Sequence, residues 1–205
     1  MSRTTNTTTL PLFPLQAVLF PEGLLSLKVF EARYLDLMSE CLRNHTPFGV
    51  VTLRRGHEVR REGDTVEFES TGCMAEVLHV DSSGPGLLKV RCRGTGRFSV
   101  RRSEQGANGL WVAEVSSVAA DPTQLPAPEL VECAKALAST IKMLRTKGPV
   151  PFQEPYRFED AGWIANRWCE ILPIQLAAKQ KLMDLREPLV RLKLVDQFLR
   201  AKGII

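Results

Sequence analysis

The chain has 205 residues, 44% hydrophobic and 24% charged, with a formal net charge of +4. That balance excludes a disordered chain and leaves enough apolar residue for a core built without disulfides or a structural metal. So small an excess of positive charge makes no composition-level case for nucleic acid, which would need its cations clustered.

The chain opens as MSRTTNTTTLPLFPL, Thr-rich and then apolar but interrupted by Pro11, Pro14 and Pro21. Each proline removes a backbone donor, so the segment makes neither a signal-peptide core nor a membrane helix. No later run approaches the roughly 18 apolar residues of a spanning helix. The first nine residues read as a tail.

Leu24 to Phe30 is a strand candidate, followed by a helix from Glu31 to Asn44 with Tyr34, Leu37, Met38 and Cys41 at the spacing of one buried face. Phe48 to Leu53 is a short apolar strand. Val66 and Phe68 alternate with Glu67 and Glu69, the pattern of a strand with one wet face. Cys73 to Val80, the turn Asp81 to Gly86, and Leu87 to Arg93 form the clearest hairpin. Phe98 to Arg102 and Trp111 to Val118 complete about seven strands with one inserted helix. They predict a small curled antiparallel sheet or partial barrel.

The character changes at the connector AADPTQLPAP, Ala119 to Pro128, with its three prolines. Beyond it Pro128 opens a helix that stops at Thr146-Lys147-Gly148-Pro149, and Leu130, Ala134, Leu137, Ile141 and Leu144 share one face. A second helix runs from the cap Asp160 to Leu172, a third starts at Pro173, and a fourth runs from Pro188 to Leu199. The expectation is therefore an α+β chain: a β-rich part over 1–118, a Pro-rich connector over 119–127, and a helical bundle over 128–205.

Candidate chemistry is thin. The three histidines, 45, 57 and 79, lie far apart, and no paired-cysteine motif exists, so no metal and no cofactor is predicted. Cys73 and His79 sit on one predicted strand, ~20 Å apart, beyond the reach of a nucleophile and its base. Five scattered cysteines read as reduced, buried thiols of a cytoplasmic protein. Arg93-Gly94-Thr95-Gly96-Arg97-Phe98 begins like a dinucleotide loop, but it lacks the third glycine and leads into a strand, so its glycines suit a bulge or sharp bend.

Lys89, Arg91, Arg93, Arg97 and Arg101 share odd parity, so an unbroken strand would carry them on one face. Such a row could track phosphates, or it could be the wet face of a half-buried strand balanced by Glu67 and Glu69. Arg33 could meet a ligand carboxylate, or pack its stem and pair with Glu31 or Asp36. Trp168 shares a face with Ile164 and belongs to the core, whereas Trp163 points elsewhere and is a candidate contact.

Taken together the motifs carry a resemblance. PLFPLQAVLFPEGLLSLKVFEARYLDLM (11–38), PFGVV (47–51), TGCMAEV (71–77), GTGRFSV (94–100) and WIANRWCEILPIQLAAKQKLMDLREPLVRLKLVDQFL (163–199) are similar, in order, to the N-terminal domain of the Lon protease family. The family usually has proline where Ala32 stands. The resemblance implies a PUA-like β part followed by a helical bundle. It also implies substrate recognition: full-length members use this domain to capture exposed apolar stretches of damaged or tagged proteins. No Gly-x-x-x-x-Gly-Lys-Ser/Thr loop and no Ser-Lys protease module occur within the 205 residues, so a non-catalytic, free-standing module is expected.

Its implied partners are unfolded polypeptide and a separate ATPase or protease, with no membrane. The alternative is RNA or other nucleic acid on the basic strand face. A small-molecule enzyme would instead need a deep pocket with convergent ionisable groups. No catalytic residue is predicted. Phe30, Tyr34 and Trp163 are the candidate binding residues, because aromatic side chains dominate such contacts. The apolar surplus of residues 18–38 would then build the strand-helix core and present a shallow apolar groove between sheet and bundle.

Overall fold

The structure is a computed structural model that describes residues 7–59, 63 and 65–205. The chain separates into two compact units, 1–120 and 121–205.

The first unit holds six strands and one helix: β1 (Thr7–Leu15), β2 (Leu24–Val29), α1 (Ala32–Asn44), β3 (Phe48–Arg55), β4 (Glu67–Gly84), β5 (Leu87–Gln105) and β6 (Trp111–Ser117). Their order is β2-β5-β4-β3-β1-β6, and an additional β5–β6 pairing closes β5-β4-β3-β1-β6 into a ring that leaves β2 outside it. This is a closed small barrel with β2 laid along the first half of β5. Closure removes most free edges, which an open sheet of this size would expose.

The strand count differs from the sequence expectation because two pairs of predicted strands fuse into the long β4 and β5, while β1 is new. Thr7–Thr9, read as tail, are the start of β1; the rest of that tail lies outside the described residues. Strand β1 runs antiparallel to β6 over Thr7–Leu12 and parallel to β3 over Leu12–Leu15, so the two ladders overlap only at Leu12. Pro11 and Pro14 therefore each lie where β1 is paired on one side only, the setting in which a strand tolerates a missing donor.

The predicted turn at Asp81–Gly86 shrinks to Pro85-Gly86, because β4 continues to Gly84. Gly86 has φ 69°, and proline followed by a positive-φ glycine is the chemistry of a type II turn.

Two cores fill the unit. Inside the barrel Leu10, Leu12, Val51, Phe98, Ala113 and Val115 pack together. A methyl group at Gly72 would come within 2.5 Å of the Phe98 ring, so glycine there makes room for the largest side chain of that core. The second core lies where α1 covers the sheet, and Tyr34, Leu37, Met38 and Cys41 pack in it as the helical spacing predicts. Its strand partners include Phe13, Leu27, Val29, Phe48 and Val90.

Of the two glycines after Arg93, Gly94 has a packing role. Gly94 accepts from Glu22 N at 2.8 Å and donates to Gly23 O at 2.8 Å, and a methyl on Gly94 would fall 2.3 Å from Phe20 O. It lets the Pro21–Gly23 turn lie directly on β5.

The second unit contains α2 (Val131–Lys147), entered through a 3-10 turn at Pro128–Leu130, then α3 (Ala161–Ile171), α4 (Leu176–Asp184) and α5 (Pro188–Ala201). Asp160 caps α3, its carboxylate accepting from the amides of Gly162 at 2.9 Å and Trp163 at 3.3 Å. The expected third helix begins three residues late, at Leu176 rather than Pro173. Helix α3 is not amphipathic: every residue from Ala161 to Cys169 is buried. Its polar members are met inside the bundle. Trp168 Nε1 donates to Cys133 O at 3.0 Å, Arg167 pairs with Glu170 at 2.6 Å, and the Asn166 side chain accepts from Arg191 at 3.0 Å.

Part of the Pro-rich connector packs within this unit. Gln124 O accepts from Ala161 N at 2.8 Å, and Asp121 pairs with Arg191 at 2.7 Å.

Candidate functional site

The barrel seam opens at one end. The space beside β5 is taken by β6 along Phe98–Gln105, but by β2 along Leu88–Arg93. Strand β6 continues the ring to β1, whereas β2 pairs with no strand but β5 among the described residues. Beyond Leu12, β1 in turn keeps only β3. Two one-sided strands thus flank a depression of about 330 Å³. On one side it meets Phe13, Leu15 and Ala17, and on the other the consecutive residues Leu25 to Phe30, with Tyr34 also in its lining. Glu58 and Val59 from the loop after β3 complete the lining.

Local chemistry holds this shape. The Tyr34 ring stacks on Phe13, centroids 3.8 Å apart and planes within 9°. Burial pushes the Tyr34 phenol up to about 12, so the ring stays neutral at any physiological pH. Arg33 lies with its guanidinium 4.5 Å from the Tyr34 centroid, donates from Nη1 to Gly109 O at 2.6 Å, and pairs through Nη2 with Glu31 at 3.0 Å. Arg33 therefore has the packing role, with Glu31 as its acid. Glu58 pins its loop by accepting from Gln16 N at 2.6 Å.

The three aromatic candidates are placed differently. Phe30 is 52% exposed and lines the depression. Tyr34 is 3% exposed and contributes to the lining, so what it offers is a rigid stacked ring rather than a protruding anchor. Trp163 is 4% exposed and lies in the other unit, its ring 5.6 Å from both the Phe158 ring and the Arg167 guanidinium. Trp163 is thus a core residue and not a surface contact. The helix face opposite Ile164 is as buried as its own, because neighbours surround α3 on all sides.

The basic row is broken. Cys73 pairs with Arg97 but Ala75 pairs with Gly94, so three steps on β5 match two on β4 and the parity changes. Arg97 is 4% exposed. Of the others, Arg93 pairs with Glu76 at 3.0 Å and Arg101 donates to Ser116 Oγ at 3.0 Å, while Lys89 and Arg91 are exposed. The five cations do not form one continuous face.

Residues that sequence reasoning passed over are Phe13, Glu58 and Val59. Only Val59 left a local trace, as an apolar residue within the charged segment His57 to Asp64. Among the described residues no group of three or more His, Cys, Asp or Glu side chains is arranged to hold a metal ion.

This fold and seam define a two-part α+β module, a small barrel carrying an apolar, open-edged depression and a helical unit built around one buried helix. The chain belongs to the family of the ATP-dependent protease La (LON) substrate-binding domain, whose model matches residues 9–201.

It is similar to a Lon protease of Anaeromyxobacter dehalogenans, with 26% identity over 199 residues, 94% of this chain and 23% of that protein. The chain therefore spans less than a quarter of the length of that relative. Among solved structures it is similar to the crystal structure of a Lon N-terminal domain protein from Xanthomonas campestris, with 31% identity and a TM-score of 0.70 over 92% of this chain and 96% of that one. The N-terminal domain of the Mycobacterium avium complex Lon protease shares the fold at 15% identity and a TM-score of 0.62, over 92% of this chain and 96% of that one.

Proposed function

We propose that the chain is a non-catalytic polypeptide-recognition module that binds exposed apolar segments of unfolded proteins in protein quality control, working with a separate ATPase or protease. The observation that carries this reading is the open apolar seam between β1 and β2, in a chain belonging to a substrate-binding family. An unfolded segment brings apolar side chains and unpaired backbone groups, and the seam offers a match for both. Affinity would be modest, because ordering a flexible segment costs several kcal/mol. Five buried cysteines, none of them in a disulfide, suit the reducing cytoplasm, and no described helix is long and apolar enough to cross a membrane.

The test is fluorescence anisotropy with labelled, reduced and carboxymethylated α-lactalbumin against the native form. The full chain binds the unfolded form selectively, and Phe30→Asp or Val59→Asp weakens binding about tenfold by placing a charge on an apolar contact. Both side chains are exposed, so each variant folds, which circular dichroism checks. Equal binding of native and unfolded lactalbumin would overturn the reading.

A further inference from the structure

We propose that the seam takes its ligand as an added β-strand: a neutral, extended segment of about six residues with alternating apolar side chains, hydrogen-bonded along β2. This deepens the recognition reading above and rests on it.

The lining of the depression carries the argument. Six consecutive residues, Leu25 to Phe30, border it, although successive side chains of a strand point to opposite faces. Leu27 and Val29 are buried in the core while Ser26, Lys28 and Phe30 are exposed, so residues of both parities reach one space. What they share along that border is the backbone edge. A helix or a folded surface docking on β2 would meet side chains of one parity only. Antiparallel pairing uses alternate backbone groups, so about half of the donors and acceptors of β2 point away from β5. At roughly 3.4 Å per residue, the six residues of β2 present an edge about 20 Å long.

Charge selects the same ligand. The depression is bordered by Lys28, Glu31 and Glu58, and Glu31 is already paired with Arg33 at 3.0 Å. Two cations stand against two carboxylates, so the site favours no net charge in its partner. On the far side Phe13, Leu15 and Ala17 recur at every second residue, matching a strand whose apolar side chains alternate.

The probe is a capped, fluorescein-labelled ten-residue peptide alternating leucine and threonine. Its counterpart is N-methylated on the six central amides, which removes the donors and keeps the side chains. The full chain binds the parent peptide and binds the methylated one at least tenfold more weakly. Hydrogen exchange of the amides in 24–30 slows when the parent peptide is added.

Equal binding of the two peptides, or unchanged exchange over 24–30 at saturation, overturns strand addition and leaves apolar recognition standing. Binding of unfolded lactalbumin without binding of the parent peptide overturns the ligand class. If neither binds, the recognition reading itself falls.

Discussion

Arg191 is a buried charge of the helical unit with four hydrogen bonds, and removing it has a calculable cost. The residue is 1% exposed. Its Nε donates to Leu182 O at 2.9 Å, Nη1 donates to Asp121 Oδ2 at 2.7 Å and to Asn166 Oδ1 at 3.0 Å, and Nη2 donates to Leu185 O. One guanidinium thus ties together the end of α4, the connector, α3 and α5.

Arg191→Met keeps most of the stem volume and deletes the charge. Removing one partner of a buried ion pair costs about 3–5 kcal/mol, because the other partner loses its compensation. The Asp121 side chain keeps 16% exposure and can regain water, which places the expected loss near the lower end, about 3 kcal/mol. With a urea slope of about 1.5 kcal/mol/M, the midpoint falls by about 2 M.

The assay is urea unfolding followed by tryptophan fluorescence, since Trp163 and Trp168 lie in the same unit as Arg191 and Trp111 in the other. Adding Asp121→Asn to Arg191→Met should cost little more, because the carboxylate charge that faced the guanidinium is then gone. A midpoint shift below about 0.5 M would refute the view that this guanidinium organises the bundle.

Two further outcomes test the barrel and the thiols. Gly94→Ala places a methyl 2.3 Å from Phe20 O and should cost about 2–3 kcal/mol in a thermal melt, whereas Gly96→Ala, whose methyl meets only Met74 at 3.4 Å, should stay within about 0.5 kcal/mol of the parent. A melt in which both variants behave alike would remove the close-approach argument.

Burial pushes the thiols of Cys92 and Cys169 up to about 12 from an ordinary 9.0. The folded chain holds protons that the unfolded chain releases, so their stabilisation is complete below pH 9 and is lost as pH rises towards about 12. Stability measured against pH should therefore decline through that window, and a thiol reagent at pH 8 should label none of the five buried cysteines until denaturant is added. Rapid labelling of the native chain would contradict this burial.

Legibility followed the range of the interaction. Spacing within a dozen residues encodes which face of α1 is buried, since Tyr34, Leu37, Met38 and Cys41 need only helical geometry to line up. The Asp160 cap was readable for the same reason: its partners are two and three residues away. The candidate site was readable only in part. Phe30 stood out as an aromatic at a strand end, but Val59 reaches the same depression from a different loop, and Phe13 from a proline-interrupted segment to which the residue pattern assigned no strand.

The amino-acid order alone determined the α+β character, the helical faces, a turn within Asp81–Gly86 and the ordered motifs that mark the family, because each depends on local backbone preference or on residues met in sequence. Tertiary structure decided that β1 is a strand, through partners near residues 49–52 and 111–116 that supply its ladders. It decided that one inserted residue in β5 buries Arg97 and breaks the cationic row, which parity counting along a single strand cannot register. It also decided that β2 ends at an open seam, since an edge is defined by the strand that fails to pair there, and that depends on where every other strand goes.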